Sequence, residues 1–265
     1  MAWLMMSAVL LCSALPPAAA QSDPTAKAGS VDGWIRALED PNPLTRMKAA
    51  GALENMGPAA KRAIPALRKM LSSSSSRVFA AQALLKVDPT ATPSLVPILV
   101  EALRDSDPTR GFHRVLAAQL LGNIGPPAAS GVPALVEALQ PKDDTAANEG
   151  LRQEAANALG RIGPLGASEA VPALARALKD VSPVVREVAA QSLRHVGPDA
   201  GRAVTELAEA LADDSNLVRL HAAEALGELG PSARAATSAL RRALEDENSY
   251  VRTAAGAALA RIEAK

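Results

Sequence analysis

The side chains best equipped for chemistry in this 265-residue chain are three histidines, one cysteine and a row of arginines that returns roughly every 33 residues. A metal site on a helix needs ligands such as two histidines four residues apart on one face. His113, His195 and His221 have no such spacing, and only His221 and Glu224 share a helix face. Cys12 lies in the leading segment, so a chain processed after that segment has no thiol for a disulfide or a thiolate site. The arginine row is Arg46, Arg77, Arg114, Arg152, Arg186, Arg219 and Arg252. Regularly spaced guanidinium groups suit an anion track. However, Asp40, Asp105, Asp143, Asp180, Asp213 and Asp246 stand in the turns just ahead of six of these arginines. The preferred expectation is therefore an Asp–Arg ladder between successive units, partly exposed, each pair contributing about 0.2–1 kcal/mol and chiefly setting register.

The elements that must hold such a ladder are visible in Val171–Ala203, VPALARALKDVSPVVREVAAQSLRHVGPDAGRA, where two apolar-periodic segments are joined by a polar turn and closed by Gly-Pro. Val171, Leu174 and Leu178 fall on one helical stripe and leave Arg176 and Lys179 on the solvated side. The second segment carries a small pair, Ala189-Ala190, where neighbouring helices should touch, then Leu193 and Val196, and stops at Gly197. A hairpin of this kind cannot bury its apolar face alone and must stack on copies of itself. Seven copies follow: 31–63, 64–92, 93–131, 132–170, 171–203, 204–236 and 237–265. Pro65, Pro97, Pro133 and Pro172 are expected in the first turn of the first helices, where a missing N–H has no intrahelical acceptor to lose.

Composition agrees with a stack of helices and argues against a nucleic-acid binder. Lys plus Arg equals Asp plus Glu at 28 each, and aromatics make up 2% of the chain. Neither a basic surface nor a base-stacking platform is on offer. Charge is nevertheless uneven, with 13 basic against 9 acidic residues over 21–131 and 15 against 19 over 132–265. Residues 1–20, MAWLMMSAVLLCSALPPAAA, read as a signal peptide: an uncharged apolar run too short to span a bilayer, then Ala18-Ala19-Ala20 as a cleavage site. Residues 21–30 read as a flexible leader and 31–265 as the repeat domain, which places the protein outside the cytoplasm, periplasmic or secreted, with no membrane span after cleavage.

The pattern VPALxxALxDxxxxVRxxAAxxLGxIGP resembles the HEAT repeats, specifically the short bacterial HEAT-like class first associated with phycobilisome lyases. It covers Val31–Lys265, most closely over Val132–Ile262 and least over Ile64–Thr92, where Asp88-Pro89 stands in place of Gly-Pro. The resemblance implies an all-α, right-handed α-solenoid with second helices lining a concave groove. HEAT-like deoxyhypusine hydroxylases bind iron through His-Glu dipeptides, and this chain has none. HEAT-like DNA glycosylases imply a basic, aromatic-lined groove, which the composition disfavours.

The function expected is a noncatalytic scaffold, without a cofactor, that binds another protein. The alternative is a cofactor- or chromophore-handling lyase of the phycobilisome-lyase-like class. Between the small pair and the Leu of each second helix stand Gln82, Gln119, Asn157, Gln191 and Glu224, a polar column suited to a peptide or protein edge. Insertions in two turns, RDSDPTRGFHR and QPKDDTAANEGLR, make a second candidate edge with Arg110, Phe112, His113, Asp143 and Asp144. The first and last hairpins lack an evident polar cap, which leaves self-association open.

Overall fold

The computed structural model describes residues 29–73, 75–140 and 146–264, and among these every regular element is a helix. The proposed signal peptide and most of the leader, together with Asp143 and Asp144, lie outside the described residues. Seven hairpins follow one another: α1 (Val31–Ala37) with α2 (Pro43–Met56), α3 (Ile64–Met70) with α4 (Arg77–Val87), and α5 (Thr92–Leu103) with α6 (Gly111–Ile124). They continue with α7 (Val132–Leu139) and α8 (Ala146–Ile162), α9 (Ala167–Ala177) and α10 (Pro183–Val196), α11 (Val204–Ala210) and α12 (Asn216–Leu229), and α13 (Thr237–Ala243) and α14 (Ser249–Glu263).

Local chemistry sets the boundaries. Several second helices begin on a side-chain cap, as when Asn42 Oδ1 accepts from Leu44 N at 2.9 Å and Asn248 Oδ1 from Tyr250 N at 2.9 Å, and α2 and α10 also place a proline in the first turn. Five second helices end on a glycine in the left-handed region, with φ from 53° at Gly230 to 86° at Gly197. A side chain would be strained there, so the helix stops at that residue. Proline follows, and a short 3-10 segment, not anticipated from the sequence, carries the chain into the next first helix. Asp88 ends α4 without a positive φ.

Two prolines sit deeper than expected. Pro65 and Pro133 occupy the first turns of α3 and α7, but Pro97 and Pro172 lie inside α5 and α9. The 3-10 segments run directly into helix at Thr92 and Ala167, about one turn earlier than the repeat pattern places the start. With so little helix upstream, each of these prolines removes a single hydrogen bond without breaking the element.

Stacking buries a leucine in nearly every helix. Leu67, Leu99, Leu135, Leu174, Leu207 and Leu240 on first helices, and Leu53, Leu84, Leu121, Leu159, Leu193 and Leu226 on second helices, are all fully buried. The alanine pairs are buried with them, and glycine brings some second helices closer still. A Cβ on Gly160 would sit 2.7 Å from Ser192 Cβ, and one on Gly122 would sit 2.9 Å from Ala158 Cα. Successive second helices pack on one another more extensively than successive first helices do, and the first helices also pack on the intervening 3-10 segments. One junction departs from this pattern: α4 and α6 barely touch, and α5 packs against both.

Candidate protein-binding face

The arginine row is built into the scaffold. In the C-terminal repeats each guanidinium forks onto the aspartate of the next turn: Arg152 on Asp180 at 2.8 and 2.9 Å, Arg186 on Asp213 at 2.7 and 2.9 Å, and Arg219 on Asp246 at 2.7 and 2.9 Å. The aspartate also accepts the N–H two residues on, from Ser182, Ser215 and Asn248 respectively. Arg186 and Arg219 give a further donor to carbonyls of their own turns. These rungs are more buried than expected: Arg152 and Asp180 are only 2% and 4% exposed. A buried pair of this kind is costly to break from one side, which changes its role from a minor surface contact to a clamp.

The N-terminal rungs are different. Arg46 donates to Ser75 and Ser76, and Arg114 to the Leu103 carbonyl. Arg77 pairs with Glu101 and leaves its Nε buried without a partner among the described residues. Asp105, in register to receive Arg77, is taken at 2.7 Å by Arg110 from the inserted turn. Nearby, Phe79 of α4 meets Phe112 at 6.4 Å and His113 at 5.4 Å between ring centroids, and His113 Nδ1 is also buried without a partner among the described residues. Burial, with Arg110 second, pushes the His113 pKa down. Arg110, Phe112 and His113 are thus brought together, but Arg110 is engaged by Asp105 and Asp107, and His113 holds an aromatic contact.

Of the polar column, Gln119 and Gln191 are exposed and Asn157 is half-buried. Gln82 donates to Glu54 at 3.2 Å. Glu224 is engaged by Arg194 at 2.5 Å and by His221 at 3.1 Å. Arg194 takes the place that glycine holds in α6, α8 and α12, and reaches Glu228 as well at 3.3 Å.

A further column is absent from the sequence expectations. The second residue of five second helices is a large apolar side chain turned to solvent: Leu44, Phe112, Val184, Leu217 and Tyr250, from 39% exposed at Val184 to 73% at Tyr250. Phe112, Val184 and Leu217 stand seven positions before Gln119, Gln191 and Glu224, so the apolar and polar columns share one helix face. The signal lies two residues ahead of five of the seven arginines when the repeats are superposed, Ser75 and Gly150 being the exceptions. Beside Tyr250 lies a cavity of about 350 Å³ lined by small residues such as Ala223, Gly227 and Ala257 together with Arg194, Glu224, Glu228 and Arg261. Among the described residues, no three His, Cys, Asp or Glu cluster to hold a metal ion, and no helix is long and apolar enough to cross a membrane.

The comparison with curated proteins gave no match. Among solved structures, the chain is similar to an engineered protein at 24% identity and TM-score 0.67, covering 90% of this chain and 69% of that one. It is also similar to a second engineered protein at 24% and 0.56, covering 88% and 96%. A designed armadillo repeat protein in complex with the peptide (KR)4 aligns at 17% and 0.56, covering 88% and 100%. At these identities the likeness establishes the α-solenoid fold alone. The family model for HEAT repeats matches residues 96–194 and 195–265, and that for the PBS lyase HEAT-like repeat matches 45–73. With helix hairpins, buried alanine pairs and matches over more than half its length, the chain belongs to the HEAT-repeat proteins.

Proposed function

We propose that this HEAT-repeat chain is an exported, noncatalytic scaffold that binds another protein through its concave face. The observation that carries this reading is the pairing of columns on the second helices. Apolar side chains at Leu44, Phe112, Val184, Leu217 and Tyr250 stay in water although the same helices bury leucines and alanines efficiently on their other side. Solvent-facing apolar residues at one position in five of the seven repeats, three of them consecutive, make the kind of surface that marks a docking site. Gln119, Asn157 and Gln191 lie on the same face and supply donors and acceptors for a partner's backbone. The designed armadillo repeat protein of the same α-solenoid fold is in complex with a peptide, which supports reading this fold as one able to receive a polypeptide. Export rests on the sequence of residues 1–20.

The test is capture by the purified chain from an extract of the cells that make it, repeated with Gln119→Lys, Asn157→Lys and Gln191→Lys combined. Loss of the captured proteins with unchanged helicity is expected; an unchanged set would discard the concave face in favour of the inserted-turn edge around Arg110 and Phe112. Mass spectrometry of the exported chain should find a new N-terminus near Gln21.

A further inference from the structure

The two end hairpins keep the residue types that interior repeats use to hold a neighbour. Arg252 takes the place of Arg152, Arg186 and Arg219 in α14 and anchors to its own turn as Arg219 does, donating to the carbonyls of Asp246 at 2.7 Å and Glu247 at 3.0 Å. Unlike them, it has no carboxylate on its fork among the described residues. Asp40 is its counterpart at the other end. It accepts the Asn42 N–H at 2.7 Å, as Asp180, Asp213 and Asp246 accept theirs, but its carboxylate has no arginine among the described residues. Apolar burial is incomplete at the same two ends. The leucine closing the first helix is buried at Leu38, Leu103, Leu139, Leu178 and Leu211, partly buried at Leu71, and 39% exposed at Leu244. Trp34 is only partly buried at a position where the other six repeats carry a fully buried leucine, and Ala260 is exposed where Gly122, Gly160 and Gly227 are buried. Solenoid ends ordinarily carry a polar outer face. Leu244, Ala260 and Trp34 do not supply one.

The two open faces match in register and in charge. Continuing the repeat beyond α14 with α1 and α2 of a second copy brings Asp40 to the fork of Arg252, as Asp246 stands to Arg219. On the second helices, Arg194 meets Glu224 and Gly122 lies against Ala158; the same offsets set Ala260 against Gly51 and Ala52, so small residues face each other. Lys48, exposed on α2, falls opposite Thr253 by the offset that brings His221 toward Glu187. On the first helices, Arg104 pairs with Glu137 and Lys179 with Glu209 in one recurrent register. That register pairs Glu245 with Arg36 of the second copy, the charges exchanged, and both are exposed with no ion pair among the described residues. The opposite net charges of 21–131 and 132–265 favour the same order. We propose that the chain associates head to tail with a second copy, the α13–α14 end of one stacking on the α1–α2 end of the next, with Arg252 closing on Asp40 across the join. Two different surfaces meet in such an interface, so each pair keeps a free end and can add further copies. This inference is independent of the concave-face reading above.

Analytical ultracentrifugation of the full chain over a range of concentrations tests it. The mass should climb with concentration past that of a dimer. Arg36→Glu or Glu245→Arg alone sets like charges across the join and should weaken association at least about tenfold. The two changes combined in one chain restore opposite charges and should restore association. Both side chains are exposed and hold no ion pair among the described residues, so the fold should tolerate all three variants, with circular dichroism as the check. Asp40→Asn keeps an acceptor for the Asn42 N–H while removing the charge due to Arg252, and should also weaken association. A chain that is monomeric at every concentration overturns the proposal, as does a mass that stops at the dimer, which a join between like ends would give. Single charge changes without effect, or a combined variant as weak as the single ones, overturn it as well.

Discussion

The stack from α8 to α14 and the junction between α4 and α6 use the same repeat and reach opposite outcomes. In the first, Arg152, Arg186 and Arg219 close bidentate rungs, and glycine or alanine lets second helices meet at backbone distance. In the junction, Phe79 stands between α4 and α6, Arg110 intercepts the carboxylate due to Arg77, and two buried nitrogens go unpartnered among the described residues. A solenoid's stability is approximately a sum of repeat and interface contributions, so a weak interface stays local. The difference teaches that one inserted turn can open a solenoid at a single joint without disturbing its ends.

The largest expected effect breaks a closed rung. Asp180→Ala removes the carboxylate that Arg152 grips with two hydrogen bonds in a buried rung and should cost about 3–5 kcal/mol. Asp105→Ala, at the open junction, removes a carboxylate whose partner Arg110 already reaches solvent, and should shift the same urea midpoint far less. Equal losses from both would erase the contrast. Next comes steric overlap: Gly160→Ala places its Cβ 2.7 Å from Ser192 Cβ, and Ala190→Leu forces a large side chain into a fully buried site. Each should cost about 1–3 kcal/mol in urea unfolding. Phe79→Ala opposes them in sign of packing, since it removes a wedge, and should bring hydrogen-exchange protection in α4 closer to that of α8.

What the sequence revealed divides along the same line. Ala189-Ala190, Leu193 and Gly197 were legible because stacking demands small, apolar and left-handed residues at fixed places, and the structure uses each of them so. The partner of each arginine was legible only where the repeat is regular; at Arg77 the outcome depends on Arg110, contributed by an insertion that periodicity cannot place. Pro97 misled because periodicity does not separate a proline in a helix's opening turn from one a turn deeper when a 3-10 segment feeds the helix. Tyr250 and its equivalents gave no comparable signal, because their column varies in residue type and recurs only in being apolar.

Acid should separate the two regions by pH. The His113 pKa is depressed by burial, so its contribution is complete above the ordinary histidine value of about 6.5 and is lost as pH falls toward its folded pKa. In the C-terminal rungs, hydrogen bonding to Arg219 holds Asp246 below the usual carboxylate range. For Asp213 burial pushes upward, but Arg186 and the Ser215 N–H outweigh it. Stability from these groups is complete above about pH 4 and is lost as pH falls through their lower folded values. Hydrogen exchange should therefore show α4 and α6 loosening as pH falls below about 6.5, with α10 to α14 unchanged until below about pH 4. His113→Phe should abolish the first step and leave the later one.

The smallest effect is expected where the two regions are alike. At and just beyond the ends of the first helices, Lys69 reaches Glu39 at 2.8 Å in the N-terminal part and Lys179 reaches Glu209 at 2.9 Å in the C-terminal part, both between adjacent repeats and both largely exposed. Water screens such pairs, and fixing two long side chains offsets much of the attraction. Lys69→Ala and Lys179→Ala should each leave the urea midpoint within experimental error, at low and at high salt alike. A clear loss confined to Lys179→Ala would mean that the C-terminal stack is also clamped along its convex side, and the contrast with the α4–α6 junction would then rest on more than the Asp–Arg rungs.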